Sequence, residues 1–271
     1  MIFDLPFDEY LAHEGLGSGA VRAYLRSPSH FQEYLRTRGE PPTPAQAYGT
    51  LIHTVALEPQ RAQQEYVPIP DGIDRRTKAG KEAYAMLLDA NRDKKLVPQQ
   101  QWADAWAMRD SLLAMPEYRR EVASQQPRVE VSAFWTDPDT GLKLKARADI
   151  VRIGDALLDL KSAADASPRA FASAIARYGY HCQGAQYLDG FGDEYKRFGF
   201  VAIEKTRPFA AGIYWLSEAS LELGRQQYRQ ALAGIARCQH ENAWPIGYGE
   251  QEIDVPAWAF YQEEDNVEVV L

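Results

Sequence analysis

Two acidic residues and a lysine carry the most chemistry in this chain: Asp149, and the triplet Asp159-Leu160-Lys161 ten residues on. Both acids fall on stretches that read as consecutive strands joined by a tight turn at Gly154-Asp155, so the two carboxylates can lie side by side. Asp159 and Lys161 are two apart on one strand and share a face. A carboxylate pair is what a hard divalent cation such as Mg²⁺ requires. A neighbouring lysine can orient or polarise water, or offset charge in a phosphoryl transition state. Taken alone, D-x-K is short, and a salt bridge or surface pair explains it more often than catalysis.

Other residues keep it company. His53 sits on a predicted helix among Leu51, Ile52, Val55 and Ala56. A lone histidine there is more often a core or surface residue than a ligand, yet imidazole is a good extra ligand for a catalytic metal. Gln183 and Tyr187 are four apart and share a helical face. The plainer reading makes Tyr187 core and Gln183 solvated; the functional one has them hydrogen-bond the active site or a bound strand. Glu130, on the first strand, reads alone as a solvated residue. Within the meander it lies near the acids and can add a direct or indirect metal contact.

The elements that must position these groups follow from periodicity and punctuation. Ser18 is read as the N-cap of a helix through Leu25, and Ser27-Pro28 ends it and starts another through Leu35. Thr37 to Pro44 reads as loop, then helix from about Ala45 to Leu57, stopped by Pro59. A loop with Pro68, Pro70 and Gly72 leads into the basic string Arg75-Arg76-Thr77-Lys78-Ala79-Gly80-Lys81. Helix resumes near Lys81 to about Arg92, and Pro98 opens another carrying Trp102, Trp106, Leu112 and Leu113. From Arg128 alternation signals strand. Asp137-Pro138-Asp139-Thr140-Gly141 is a turn. The stretch 143–153 is a second strand, with Lys143, Lys145, Arg147 and Asp149 on one face and Leu144, Ala146, Ala148 and Ile150 on the other. Residues 156–161 form the third strand of a meander. Helices over about Pro168–Arg177 and Tyr180–Phe191, strands over Phe198–Glu204 and Ala211–Leu216, and a long helix over Ser217–His240 complete the pattern. No repeat or linker interrupts it, so the expectation is a single α/β domain over 1–271, with a helical N-terminal part, a core of about 18–240 and a tail over 241–271.

Composition narrows the class. Hydrophobic residues make up 45% and charged residues 25% of 271, which excludes wholesale disorder. A mean hydropathy of −0.44 and the lack of a long apolar run argue against a membrane span, and the N-terminus has no signal-peptide pattern. Two cysteines, Cys182 and Cys238, cannot build a disulfide framework or a four-cysteine cluster and read as free thiols in a reducing cytosol. A net charge of −8 argues against a surface that coats nucleic acid, but a local basic channel or a bound metal can still hold DNA. The string at 75–81 is such a candidate. Arg75, Arg76, Lys78 and Lys81 precede a helix whose N-terminal amides and cations suit phosphate, and a solvated charged loop explains them equally well.

In order, G-T-x-x-H at Gly49–His53, Glu130, R-x-D ending at Asp149, D-x-K at Asp159–Lys161 and Q-x-x-x-Y at Gln183–Tyr187 resemble the RecB-like branch of the PD-(D/E)xK nucleases. With Ser27-Pro28, Leu57-Glu58-Pro59, the 75–81 string, Trp135–Gly141 and Tyr180–Gln183, the chain more narrowly resembles the RecE (exonuclease VIII)-type exonucleases of phages and prophages. Ser162 departs from the common Thr after the lysine, and iron–sulfur relatives need four cysteines.

The resemblance implies a PD-(D/E)xK core, a mixed β-sheet flanked by helices. It implies Mg²⁺ (or Mn²⁺) held by His53, Asp149, Asp159 and the Leu160 carbonyl, with Lys161 catalytic and Glu130, Gln183 and Tyr187 completing the catalytic group. It tips the 75–81 string toward DNA backbone or a terminal phosphate. The implied activity is 5′ to 3′ digestion of linear double-stranded DNA in a bacterial host cytoplasm. The implied assembly is a homo-oligomeric ring beside a RecT-type single-strand annealing protein, with an acidic outside and a basic channel. Two alternatives are another RecB-like repair or defence nuclease acting on single strands or flaps, and a catalytically weak DNA-binding protein. The Trp244–Tyr261 tail reads as an oligomer interface or as ordinary packing.

Overall fold

Prolines and short hydroxyl side chains set the helix starts. The computed structural model describes Ile2 and residues 5–256. Its N-terminal part holds α1 (Phe7–Ala12), α2 (Ser18–Arg26), α3 (Pro28–Thr37), α4 (Pro44–Leu57) and α5 (Pro59–Glu65). Ser27 caps α3, its Oγ accepting from the His30 N–H. Thr43 and Gln46 form a reciprocal capping box on α4, the kind of cap that stabilises a helix by about 1 kcal/mol. Pro28, Pro44 and Pro59 occupy first-turn positions that need no N–H donor. Ser18 is not the cap expected of it. Gly17 holds that position without a side-chain bond, and Ser18 is the first helical residue.

The segment expected to be loop before the basic string contains β1 (Tyr66–Ile69), paired in parallel with β2 (Lys95–Pro98). Four residues containing Pro68 give too little alternation to announce a strand. Between them α6 (Lys78–Ala90) starts three residues earlier than expected, because Thr77 caps it through the Gly80 N–H. Helices α7 (Gln99–Ala114) and α8 (Pro116–Glu121) follow.

The remaining elements are β3 (Arg128–Thr136), β4 (Lys143–Arg152), β5 (Ala156–Ala163), α9 (Pro168–Tyr178), α10 (Tyr180–Phe191), β6 (Arg197–Glu204), β7 (Ala211–Trp215) and α11 (Glu218–Glu241). The five strands form one mixed sheet in the order β3-β4-β5-β6-β7. The β3-β4-β5 meander is antiparallel, β5 pairs β6 in parallel across the α9–α10 crossover, and β7 returns antiparallel. The expected α/β class and mixed sheet flanked by helices are therefore what the chain adopts.

Two cores cover the two faces of this sheet. On one side Leu158, Leu160, Val201 and Ile203 pack against Leu51, Ile52 and Val55 of α4 and Met108 and Leu112 of α7. On the other, Leu157, Phe198, Phe200 and Ala202 pack against Phe171 of α9 and Leu188 and Phe191 of α10. Burying each of these large side chains contributes about 1.5–3 kcal/mol. Helix α11 lies against α10 at a spacing only glycine allows: a Cβ on Gly224 would come within 2.3 Å of the His181 carbonyl oxygen. Gly179, at φ 64°, ends α9 and lets α10 begin at once. Trp244 stacks on Phe31 of α3 with ring centroids 5.2 Å apart, so this part of the tail packs on its own chain. Trp258 and Tyr261 lie outside the described residues. Among the described residues no helix is long and apolar enough to cross a membrane.

Candidate metal and catalytic site

The site forms where β4 and β5 part. Their pairing covers only Arg152–Ala156, Val151–Leu157 and Ile150–Leu158, next to the turn at Gly154. Two steps further, the register would pair Leu160 with Ala148. Instead Asp149 Oδ2 accepts the Leu160 N–H at 2.7 Å. A carboxylate thus takes the backbone N–H a strand would have taken, which satisfies a buried donor.

The expected alternation of β4 fails at this point. Ala146 and Ala148 join the α10 core as expected, but Ile150 lies in the α4 core and Val151 returns to the α10 side. Opposite Asp149 in register stands Glu130, whose backbone has φ 55° and drops out of the β3–β4 ladder. A non-glycine residue in this region costs on the order of 1–3 kcal/mol, and such outliers gather at functional sites.

The break brings His53, Glu130 and Asp149 together. One ligand atom from each lies within 4.8 Å of the other two, and His53 Nδ1 is 3.4 Å from Asp149 Oδ2. Two carboxylates and one imidazole from α4, β3 and β4 are a donor set suited to a divalent cation. The electrostatics fit the same reading. Burial, then Asp159, then Glu130 hold the Asp149 pKa well above the carboxylate range. Burial lowers the His53 pKa against the pull of Asp159, favouring the neutral imidazole that can ligate metal. A cation here would relieve the mutual repulsion of the acids.

Asp159 lies beside this group rather than within it. Its carboxylate accepts from Gln183 Nε2 at 2.6 Å and stands 2.6 Å from Lys161 Nζ. Asp159 and Lys161 therefore share a face, as their spacing requires. Burial disfavours the Lys161 ammonium, but Asp159 and Asp149 outweigh that and raise its pKa, so the amine stays charged. Gln183 also accepts from Lys161 at 3.3 Å. Gln183 is therefore a buried partner of the D-x-K pair, not a solvated residue. Burial, followed by Tyr10 and the two aspartates, pushes the Tyr187 pKa well up.

A cleft of about 870 Å³ opens onto this group. His53, Glu130, Asp149 and Tyr187 line it, with Glu58, Arg61 and Glu65 along one side and Leu5, Phe7 and Tyr10 along another. The N-terminal wall was not anticipated, and neither was the part played by Lys145 and Arg147, which read only as cations on one strand face. Lys145 Nζ donates to the carbonyls of Tyr10 at 2.9 Å, Leu11 at 3.1 Å and His13 at 2.7 Å. Arg147 donates to the Leu5 carbonyl at 2.8 Å. The signal available in the sequence was their i, i+2, i+4 spacing with Asp149.

The basic string does not line the cleft. It is an exposed turn and first helical turn in which Arg76 pairs with Asp74 at 3.0 Å, Arg75 lies 4.5 Å over the Tyr84 ring and Lys78 is 4.0 Å from Glu82. Thr77 already occupies part of the α6 N-terminus.

A mixed sheet that carries a buried acid pair and D-x-K at a splayed strand junction, beside a histidine from a helix, defines a PD-(D/E)xK-type protein. Residues 18–254 match the family described as "PDDEXK-like domain of unknown function (DUF3799)", and the chain belongs to it. The crystal structure of a protein from Eubacterium rectale provisionally designated an exonuclease has the same fold. It is 14% identical, with a TM-score of 0.62 over 93% of this chain and 94% of that one. A second structure, SSO0001, is 16% identical over 72% of this chain and 87% of that one, with a TM-score of 0.30. No curated protein matches the chain.

Proposed function

We propose that this protein is a divalent-metal-dependent deoxyribonuclease that degrades linear duplex DNA from its 5′ ends and leaves 3′ single strands for annealing. The observation that carries the reading is the convergence of His53, Glu130 and Asp149 beside the Asp159–Lys161 pair. Membership of a PDDEXK-like family and the fold shared with an exonuclease-designated protein support a nuclease. The end preference, the 5′ to 3′ direction, the ring and a RecT-type annealing partner rest on the RecE resemblance.

His53, Glu130 and Asp149 would hold Mg²⁺ or Mn²⁺, with Asp159 and the Leu160 carbonyl beside them. Such an ion supplies Lewis acidity and lowers the pKa of water. The chain's own groups do the rest. Lys161, kept charged by two aspartates, would donate to a phosphate oxygen and offset charge as it develops. Gln183 fixes both Asp159 and Lys161 through its amide. Tyr187 keeps its proton at any working pH and can donate to a bound strand. Exposed Arg75, Arg76, Lys78 and Lys81 would meet the DNA backbone away from the reacting phosphate.

The test is digestion of a linear duplex labelled separately at each 5′ and 3′ end, with Mg²⁺ or with EDTA, beside a closed circle. Mg²⁺-dependent loss of 5′-ended strands with the circle intact is the expected result. Cleavage of single strands or flaps alone would transfer the assignment to a different RecB-like nuclease. Binding without cleavage of any substrate would reduce it to a DNA-binding protein.

A further inference from the structure

We propose that Arg147 is a positioning residue for the cation site, one that sets the Glu130 carboxylate and fastens the N-terminal wall of the cleft to it. The inference rests on reading His53, Glu130 and Asp149 as the cation site. Arg147 Nε donates to Glu130 Oε2 at 2.6 Å, while Nη1 reaches Ser132 Oγ at 3.0 Å and the Leu5 carbonyl at 2.8 Å. The guanidinium is buried, and its planar fork suits several fixed acceptors at once, which a lysine cannot reproduce.

Glu130 needs such an anchor. Its backbone has left the ladder at φ 55°, so no strand register orients its side chain. With Oε2 held by Arg147, the carboxylate stays turned toward His53 and Asp149. The other end of the fork ties in a segment that precedes the family-matched region. Ile2 exchanges two backbone hydrogen bonds with Ser132, Leu5 accepts from Arg147, and Lys145 holds the end of α1. Phe7 and Tyr10, which line the cleft, lie 5.9 and 5.8 Å from the guanidinium.

This role and simple electrostatics predict opposite signs. If Arg147 acted only as a charge near the site, removing it would strengthen cation binding. If it positions Glu130, removing it weakens binding, as loss of an outer hydrogen-bond partner of a metal ligand does by about 10–100-fold. The experiment is Mn²⁺ binding, read by electron paramagnetic resonance of free Mn²⁺, for wild type, Arg147→Met, Arg147→Lys, Ser132→Ala, Glu130→Gln and Glu130→Gln/Arg147→Met. Each protein is checked for folding by circular dichroism.

Arg147→Met and Arg147→Lys are expected to weaken Mn²⁺ binding about tenfold or more. Ser132→Ala, which keeps the ion pair and removes one brace, should weaken it by a smaller factor and serves if the arginine variants do not fold. In the Glu130→Gln background, Arg147→Met should change the affinity less than twofold. Wild-type or tighter affinity in Arg147→Met overturns the proposal, as does an equal loss in the Glu130→Gln background. If Arg147→Met and Arg147→Lys do not fold, wild-type affinity in Ser132→Ala overturns it. No Mn²⁺ binding by wild type overturns the underlying cation-site reading instead.

Discussion

Cation binding at this site should stabilise the protein by an amount that depends on pH in a direction the structure fixes. The Asp149 pKa is raised by burial, by Asp159 and by Glu130, so folding favours its protonated form. Without metal, that contribution to stability is complete below the pKa of an unfolded aspartate. It is lost as pH rises through the raised, folded-state pKa. A cation reverses the preference, because it binds the deprotonated carboxylate and must displace the proton. The metal-free protein should therefore lose stability as pH rises, while the stabilisation by metal grows over the same range. At a hundred times its Kd, a ligand specific to the folded state adds about 2.7 kcal/mol. At about 2–4 °C per kcal/mol for a chain of this order of size, Tm should rise by about 5–10 °C. The assay is a thermal melt in EDTA and in excess Mn²⁺ from pH 5 to pH 8, with Asp149→Asn as control. The variant should melt in EDTA without the decline due to this residue and should gain nothing from Mn²⁺. A metal-induced shift of equal size at pH 5 and pH 8, or the same shift in Asp149→Asn, would refute the reasoning.

Three more perturbations follow from single contacts. Gln183→Leu removes both amide bonds to Asp159 and Lys161, so it should cost about 1–3 kcal/mol by chemical denaturation and lower kcat. An unchanged kcat would remove Gln183 from the site. Lys145→Met leaves the Tyr10, Leu11 and His13 carbonyls without their donor, costing about 2 kcal/mol, and should raise hydrogen exchange in residues 7–13 more than elsewhere. Arg76→Ala should weaken DNA binding and reduce the slope of log affinity against log salt by about one, because one phosphate contact is lost. An unchanged slope would return the 75–81 string to an ordinary solvated turn.

The site was legible in the sequence where chemistry and strand period coincided. A tight turn between two apolar strands aligns Asp149 with Asp159, and a two-residue step places Asp159 and Lys161 together whatever the surrounding helices do. Gln183 and Tyr187 followed from helical spacing, although burial of α10 from His181 to Leu188 makes Gln183 an interior partner, not a solvated one. The break at Glu130 and Asp149 was not legible, because perfect alternation is the simplest reading of β4 and only the packed sheet shows Ile150 crossing to the α4 core. For the same reason Arg147 passed as one cation among several: its value lies in facing a residue 17 positions earlier. The β1–β2 pair gives little period-two signal because each strand is four residues long and contains a proline. The early start of α6 came from a threonine cap that the basic residues around it obscured.

The most direct test of the central claim is a single cleavage experiment on end-labelled linear DNA with wild type, Asp149→Asn and Lys161→Met, in Mg²⁺ and in EDTA, with Mn²⁺ binding measured on the same samples. Wild type should cleave only with the divalent ion. Asp149→Asn should lose both cleavage and Mn²⁺ binding. Lys161→Met should keep Mn²⁺ binding and lose cleavage by about 10²–10³-fold, the range seen for a group that stabilises developing charge. Cleavage by wild type in EDTA, or full activity in both variants, would contradict the account.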